Sequence, residues 1–233
     1  MPIAQFKFHS TLVDFIRPRN KQSAVQYSFT NRPSIKDAIE AIGIPHVEVK
    51  EIVVNGKTAG FNHRLNADDM VEVYPYTQIY LLSPKFILDV HLGKLARLLR
   101  LLGFDTLYQN DYTDKTIAAI ANGDDRIVLT RDIGLLKHKS IKSGYWLRSQ
   151  QPIKQLDEVL YRFDLKNKIA PFKRCMVCNG MIEIVKKESV IDQLQTNTAA
   201  WFNEFYQCRS CKKIYWKGSH HERMIDLVEN ISK

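Results

Sequence analysis

The order of apolar and polar positions along residues 1–80 predicts a small sheet with one helix. The segments FKFHSTLVDF and VQYSF alternate apolar and polar residues, as strands with one buried face do. The segment SIKDAIEAIGIP has helical spacing, with Ser34 as its N-cap and Gly43 at its end. A hairpin with an Asn55-Gly56 turn follows, and VEVYPY forms the closing strand. This order predicts an α+β fold.

Residues 84–165 change to strands that alternate with helices. The segment FILDVHLGKLARLLRLLGFDTLYQ predicts a strand, a long helix and a second strand, with Lys94, Arg97 and Arg100 on the polar flank of the helix. A second helix is predicted for DYTDKTIAAIANGDD, a third strand for RIVLTRD and a fourth for SGYWLRS. Such alternation is typical of α/β folds, whose parallel sheets are covered on their faces.

Residues 166–233 contain all four cysteines of the chain, in two Cys-x-x-Cys pairs with twenty-nine residues between them. A gap of two residues lets two thiolates converge on one ion, and zinc takes four such ligands in a tetrahedron. A redox dithiol or two disulfides would be the alternative, but two tandem pairs, the first followed by Gly180, favour zinc. The spacing therefore predicts a zinc ribbon with a helical tail, in which a structural zinc ion is held by Cys175, Cys178, Cys208 and Cys211.

Charge narrows the expected partner. The chain has 233 residues, which favours two or three small domains, and a net charge of +9. Residues 1–80 carry nine Lys/Arg against eight Asp/Glu, so the basic excess lies in residues 81–233 and predicts nucleic acid as a partner. Thiols gathered for zinc indicate a reducing, cytoplasmic location. The sequence has neither an apolar run of membrane-spanning length nor a signal peptide, so no membrane partner is expected.

Aspartates follow two of the predicted parallel strands. Asp89 ends the strand FILD, and Asp132 ends IVLTRD. Ligands of open parallel sheets bind beyond the carboxyl ends of the strands, and Asp114, at the start of the intervening helix, could reach the same place. Carboxylates grouped in a basic domain favour Mg²⁺ or Mn²⁺, which support phosphodiester cleavage. The alternative for each aspartate is a capping role, and for Asp114 the helix dipole makes it equally favoured.

Other polar and aromatic residues are candidates for RNA contact. Lys94 and Arg97 follow Asp89 and are expected to face the crevice beyond the carboxyl ends of the strands. Thr130 and Arg131 are expected to bind a phosphate or to fix Asp132. His220 in GSHHERM is a further candidate for RNA contact. Six aromatic residues either stack on bases or fill the small core of the ribbon: Trp201, Phe202, Phe205, Tyr206, Tyr215 and Trp216.

The motifs resemble a known family. Residues 1–80 resemble the β-grasp, ubiquitin-like fold, but their last strand continues into more protein, which excludes the chemistry of a sulphur carrier. The segments FILDVHLGKLARLLRLLGFDT, IVLTRDIGLL, RCMVCNG and QCRSCKKIYWKGSHHERM resemble the Mut-seven C-terminal RNase family. That resemblance implies a ubiquitin-like β-grasp domain over 1–80, a PIN-like parallel-sheet nuclease domain over 84–165 and a zinc ribbon over 166–233.

The resemblance also implies an activity. It makes Asp89, Asp114 and Asp132 the catalytic acids of a Mg²⁺- or Mn²⁺-dependent ribonuclease that acts on RNA, with tRNA and other structured RNAs among the candidates. PIN nucleases usually have a fourth acid on a helix, but no glutamate occurs between Pro84 and Gln155, and Asp111 is the best substitute. Two alternatives stay open: a non-catalytic RNA-binding adaptor with a degenerate site, and a factor that binds a protein partner through its β-grasp domain.

Overall fold

The computed structural model describes residues 1–16 and 24–232. Its strands are β1 Ile3–Phe8, β2 Val25–Ser28, β3 Val49–Val54, β4 Lys57–Ala59, β5 Met70–Pro75, β6 Lys85–Leu88, β7 Asp105–Leu107, β8 Ile127–Thr130, β9 Gly144–Trp146, β10 Ile182–Val185, β11 Phe205–Cys208 and β12 Ile214–Trp216. Its α-helices are α1 Ile35–Ile42, α2 Gly93–Leu101, α3 Asp114–Gly123, α4 Ile133–Leu136, α5 Pro152–Arg162, α6 Thr196–Trp201 and α7 Ser219–Ser232.

The chain divides into two compact units. The first unit contains Met1–Ile79 and Thr113–Arg148, and the second contains Tyr80–Tyr112 and Ser149–Lys233. Each unit therefore combines two separate stretches of sequence. The described parts confirm a mixed α/β architecture with several sheets, parallel strand pairs among them.

A five-stranded sheet in the first unit has the strand order β2-β1-β5-β3-β4, with β1 and β5 parallel. Helix α1 supplies Ile35, Ala38 and Ile39 to the core beneath this sheet. Its cap is the predicted one, because the Ser34 hydroxyl accepts a hydrogen bond from the Asp37 amide at 3.1 Å. Gly43 ends the helix with a φ of 131°, a conformation that favours glycine.

The pattern of residues 1–80 predicts one turn correctly and the length of one strand incorrectly. The Asn55-Gly56 hairpin is confirmed, since both residues have the positive φ that a type I′ turn needs, 51° and 78°. The extended strand over FKFHSTLVDF is wrong, because β1 ends at Phe8. Ser10, with a φ of 50°, redirects the backbone into a 3-10 helix over Ser10–Phe15, which buries Leu12.

The α/β part of the chain contributes a parallel strand pair to each unit. In the first unit β8 pairs with β9, and all four residues of β8 are buried. In the second unit β6 pairs with β7, and helix α2 connects them. The four strands predicted for this region are therefore confirmed as strands, each of three or four residues.

The cysteine-containing region forms a three-stranded antiparallel sheet of β10, β11 and β12, followed by helix α7. The strand predicted for IEIVKK is confirmed as β10, and the helical tail is confirmed as α7. Across residues 1–16 and 24–232, no helix has the length and apolarity needed to cross a membrane.

Within the first unit, the N-terminal sheet region is joined to Thr113–Arg148 by polar contacts. The carboxylate of Glu48, which is fully buried, accepts a hydrogen bond from the Trp146 amide at 2.8 Å. His46 Nε2 lies 3.0 Å from the carbonyl oxygen of Ile141, and Lys137 Nζ donates to the Glu40 carbonyl at 2.7 Å. These bonds link residues almost a hundred positions apart, so residues 1–79 are not a separate appendage.

Arg148 occupies the centre of this joint. Its Nε donates to the Asp14 carboxylate at 3.0 Å, and its guanidinium lies 5.8 Å from the ring centre of Phe15 and 5.3 Å from that of Trp146. Burial by itself would lower the pKa of Arg148. The pKa is nevertheless raised, because nearby Tyr145, Glu48 and Asp14 favour the cation. The joint therefore combines a buried acid with a cation that stays charged.

Replacement of Glu48 by Ala should destabilise the first unit. The Trp146 amide would lose its acceptor and Arg148 a neighbouring negative charge, which should lower the free energy of unfolding by about 1–3 kcal/mol. Glu51→Ala is the matched control, because Glu51 lies three residues beyond Glu48 and is exposed on β3, and it should stay within about 0.5 kcal/mol of the unaltered chain. Urea unfolding of the three proteins measures the difference. Equal losses in the free energy of unfolding for the two variants would contradict the role of Glu48.

Candidate functional site

The four cysteines meet in two turns of matching construction. Cys175 donates its amide to the Gly180 carbonyl at 2.8 Å, and Cys208 donates to the Lys213 carbonyl at 2.9 Å. The residue after each second cysteine has a positive φ, 70° at Asn179 and 59° at Lys212. Each turn thus curls its two thiols to one side, as the Cys-x-x-Cys spacing predicts.

The thiol geometry fits a tetrahedral ion. Cys175 Sγ lies 3.6 Å from Cys211 Sγ, and Cys178 Sγ lies 3.4 Å from Cys208 Sγ. All four sulphur atoms fall within 4.8 Å of one another. Sulphur atoms bound to zinc at about 2.3 Å in a tetrahedron are about 3.8 Å apart. The four cysteines could therefore bind zinc.

The protonation of the thiols is uneven. Burial by itself would raise the pKa of Cys175, but hydrogen bonds from the Tyr215 hydroxyl, at 3.0 Å, and from the amides of Cys178 and Val177 lower it to about 7. Burial raises the pKa of Cys178 to about 12. The surroundings thus favour a thiolate at one corner of the cluster and retain a proton at another, so metal binding at neutral pH should release protons.

Close packing explains the glycine between the two turns. A Cβ atom on Gly180 would lie 2.5 Å from Ser210 Oγ and 2.8 Å from Cys208 Sγ. Only a residue without a side chain allows the two turns to approach this closely. Gly180 therefore supports the convergence of the two cysteine pairs.

The placement of Arg100 on a polar flank is wrong. Arg100 is buried, and it donates to the carbonyls of Thr106, at 2.8 Å, and Val177, at 2.9 Å. Val177 lies between the first two cysteines, so Arg100 ties helix α2 and strand β7 to that turn. The signal was available in the sequence, because Arg100 is four residues beyond Ala96 and thus lies on the apolar stripe.

Asp105, the first residue of β7, is also engaged with the cysteine region. Its carboxylate lies 3.1 Å from Arg174 Nη2 and accepts from Asn179 Nδ2 at 2.9 Å. Asn179 Oδ1 in turn accepts the Thr106 amide at 3.0 Å. Asp105 therefore fastens β7 to the first cysteine turn, a role that local sequence patterns do not reveal.

Asp89 lies in the second unit beside a basic cavity. It is buried, and its carboxylate accepts the His91 amide at 3.4 Å where β6 ends. The cavity has a volume of about 600 Å³ and is lined by residues from Val90 onward, Lys94 and Arg97 among them. No carboxylate is among the residues that line it. The cavity therefore suits an anionic group.

Asp132 and Asp114 lie in the first unit, each at the start of a helix. The exposed Asp132 carboxylate accepts the Gly134 amide at 2.6 Å and caps α4, while Asp114 is exposed in the first turn of α3. The Thr130 hydroxyl accepts the Asp132 amide at 2.9 Å. Arg131 Nη1 donates to the Arg148 carbonyl at 3.0 Å, so its guanidinium bonds the segment that follows β9.

The remaining candidates lie on the ribbon. His220 is exposed at the start of α7, and the neighbouring His221 packs on the Phe172 ring with 4.6 Å between ring centres. Among the aromatic candidates, Phe205 is fully buried and belongs to the core, whereas Trp201 is 80% exposed. Tyr206, Tyr215 and Trp216 are partly accessible.

Comparisons with known proteins agree with this arrangement. The family model of the Mut7-C RNAse domain matches residues 84–228, which include all four cysteines and the aspartates discussed above. The model of the Mut7-C ubiquitin family matches residues 1–80. The chain therefore belongs to the Mut7-C RNAse domain family and carries the ubiquitin-like region of that family at its N-terminus. Comparison with curated proteins and with solved structures finds no match.

Cys178→Ser should remove bound zinc and loosen the cysteine turns. Structural zinc contributes about 10–16 kcal/mol in small modules, so a lost thiolate removes most of the stabilisation of the ribbon. Elemental analysis should find one zinc per chain before the change and none after it. Amide exchange at Thr106 should also accelerate, because its acceptor is Asn179 in the first cysteine turn.

Ser189→Ala is the control for this change, since its hydroxyl bonds only the local Lys186 carbonyl within the described contacts of the ribbon. The Ser189→Ala variant should retain its zinc, and its Thr106 amide should exchange as slowly as in the unaltered chain. Zinc-free protein after purification without chelator, with the same amide protection, would refute a structural zinc.

Proposed function

We propose that this chain is a metal-dependent ribonuclease. The observation that carries the proposal is the family match over residues 84–228, which indicates a nuclease-like function. Support comes from the acids at the ends of β6 and β8 and from the excess of basic residues beyond residue 80. RNA, in single-stranded or structured form such as tRNA, is the proposed substrate.

In this proposal Asp89, Asp114 and Asp132 hold Mg²⁺ or Mn²⁺. Carboxylate oxygens are the donors that these hard cations prefer, so the chemistry of the donor set fits them. When bound, such an ion lowers the pKa of water and stabilises the leaving oxygen of a phosphodiester. The Thr130 hydroxyl accepts the Asp132 amide, and Arg131 donates to the Arg148 carbonyl. Asp111 is the proposed fourth ligand.

Lys94 and Arg97 are proposed to bind RNA phosphates. Both are exposed and line the cavity of about 600 Å³. The lining of this cavity includes Val90, the residue after Asp89. A phosphate bound by these cations would lie close in sequence and space to the end of β6. His220, exposed on α7, is proposed as a further RNA contact.

The finer architecture is proposed along with the function. Residues 1–80 are assigned to a β-grasp domain, residues 84–165 to a PIN-like domain and residues 166–233 to a zinc ribbon. The strand order β2-β1-β5-β3-β4 supports the first assignment, and the parallel pairs β6-β7 and β8-β9 support the second. A cytoplasmic location and a protein partner of the β-grasp region complete the proposal.

Asp89→Asn and Asp132→Asn should each abolish RNA cleavage. The amide keeps the size of the side chain but removes the negative charge that retains a divalent cation. RNA binding should be kept or become tighter, because the repulsion between carboxylate and phosphate is relieved. Labelled single-stranded RNA and tRNA, incubated with EDTA, Mg²⁺ or Mn²⁺, provide the measurement.

Asp157→Asn is the matched control, since Asp157 is exposed on α5 and distant in sequence from the acidic candidates. It should cleave at the unaltered rate. Wild-type cleavage by both test variants would overturn the assignment of these acids. RNA binding without any cleavage by the unaltered chain would instead favour an adaptor, an outcome consistent with the absence of glutamate between Pro84 and Gln155.

RNA affinity should fall steeply as salt increases, because neutralised phosphates release their counterions on binding. Arg97→Gln should reduce the slope of log affinity against log salt by about 0.7, the contribution of one contact to a single strand. Lys139→Gln is the control, since Lys139 is exposed and is not among the residues that line the cavity. Fluorescence anisotropy in a salt series measures the slopes of both variants. Equal slopes for Arg97→Gln and Lys139→Gln would mean that Arg97 does not contact an RNA phosphate.

A further inference from the structure

Two adjoining cavities lie between the ribbon strands and helix α7 in the second unit. The smaller has a volume of about 210 Å³ and the larger about 720 Å³. They share part of their lining, namely Met176, Tyr215, Trp216, His221 and Met224. We call the two together the ribbon groove. It is distinct from the basic cavity next to Asp89.

Aromatic rings form much of the lining of the smaller cavity. Phe172, Tyr206, Tyr215 and Trp216 all contribute to it, and His221 packs on Phe172. Trp216 is 38% exposed, so part of its ring is accessible to a ligand. Aromatic rings that are partly accessible in such a pocket can stack on a flat heterocycle. The cavity is too small for a folded peptide segment but has room for one such ring system.

The charge of the lining complements an anion. Arg174 and Lys217 line the smaller cavity, and Lys213, Arg223 and His220 line the larger one, whereas no carboxylate lines either. Lys217 and Arg174 are already paired with Glu204 and Asp105. Lys213, over the Tyr215 ring at 6.0 Å, and the exposed Arg223 therefore supply the positive edge of the groove.

We propose that the ribbon groove binds single-stranded RNA. One unpaired base stacks in the smaller cavity against Tyr215 and Trp216, and phosphates of the adjoining nucleotides contact Lys213 and Arg223. Aromatic floors beside basic edges are the arrangement by which proteins hold single strands without reading their sequence. A duplex keeps its bases stacked inside and cannot use the cavity. The inference rests on the proposed function for its ligand, RNA, but requires no cleavage.

The test uses the full chain carrying Asp132→Asn, so that the labelled RNA stays intact. Trp216→Leu in this background should weaken binding of a short single-stranded RNA by about 5- to 150-fold, the usual loss for one stacked base. Trp216→Tyr keeps a ring and should retain most of the affinity. Arg223→Gln should lower the salt dependence of binding, whereas Trp216→Leu should leave it unchanged.

Tyr161→Leu and Lys166→Gln are the controls, because both residues are exposed and neither lines the groove. They should leave the Kd unchanged, and an RNA duplex should compete poorly with the single strand. Zinc content and the melting profile verify that Trp216→Leu is folded, and the Tyr variant separates loss of the ring from loss of the fold.

The outcomes separate the groove from the nuclease. Unchanged affinity in folded Trp216→Leu, or equal losses in Tyr161→Leu, would overturn the groove while leaving the ribonuclease proposal intact. Ring-dependent binding, combined with no RNA cleavage by the chain that retains Asp132, would support the groove and contradict the nuclease. Failure of the chain to bind any RNA would overturn both proposals.

Discussion

The first unit depends on the contact between the buried carboxylate of Glu48 and strand β9 at Trp146, together with Arg148 two residues beyond the end of that strand. A buried acid without partners would destabilise the fold strongly, and here the Trp146 amide and the charge of Arg148 compensate it. The same strand reaches the acidic turn, because the Trp146 indole donates to the Arg131 carbonyl at 3.1 Å. The position of Asp132 is thus supported from the N-terminal sheet region, through a continuous set of bonds.

Arg100 has a comparable place in the second unit. Its buried guanidinium has a lowered pKa, because burial disfavours the charge, although the nearby thiols of Cys178 and Cys175 act in the opposite direction. The carbonyls of Thr106, Met176 and Val177 accept hydrogen bonds from it. The first cysteine turn and β7 are therefore fixed by the same side chain, so a change in one affects the other.

Sequence patterns predicted those features that depend on near neighbours. The Ser34 cap, the Asn55-Gly56 turn and the tight turn at each Cys-x-x-Cys pair all follow from residues a few positions apart. The patterns failed where the partner is remote, as for Arg100, or where one residue changes the backbone direction, as Ser10 does. No local period indicates that Glu48 meets Trp146, since their bond spans ninety-eight positions. The acidic site was placed by the strand ends and stays a prediction.

The joint around Arg148 limits how freely the parts of this protein could be exchanged. The ubiquitin-like region and the RNAse region are recognised as separate families, 1–80 and 84–228, and such units are often regarded as interchangeable modules. Here the complementary groups are divided between them: Asp14 and Glu48 on one side, Trp146 and Arg148 on the other. A foreign ubiquitin-like region without those two acids would leave Arg148 facing a neutral surface. The two regions are therefore expected to be inherited as a matched pair.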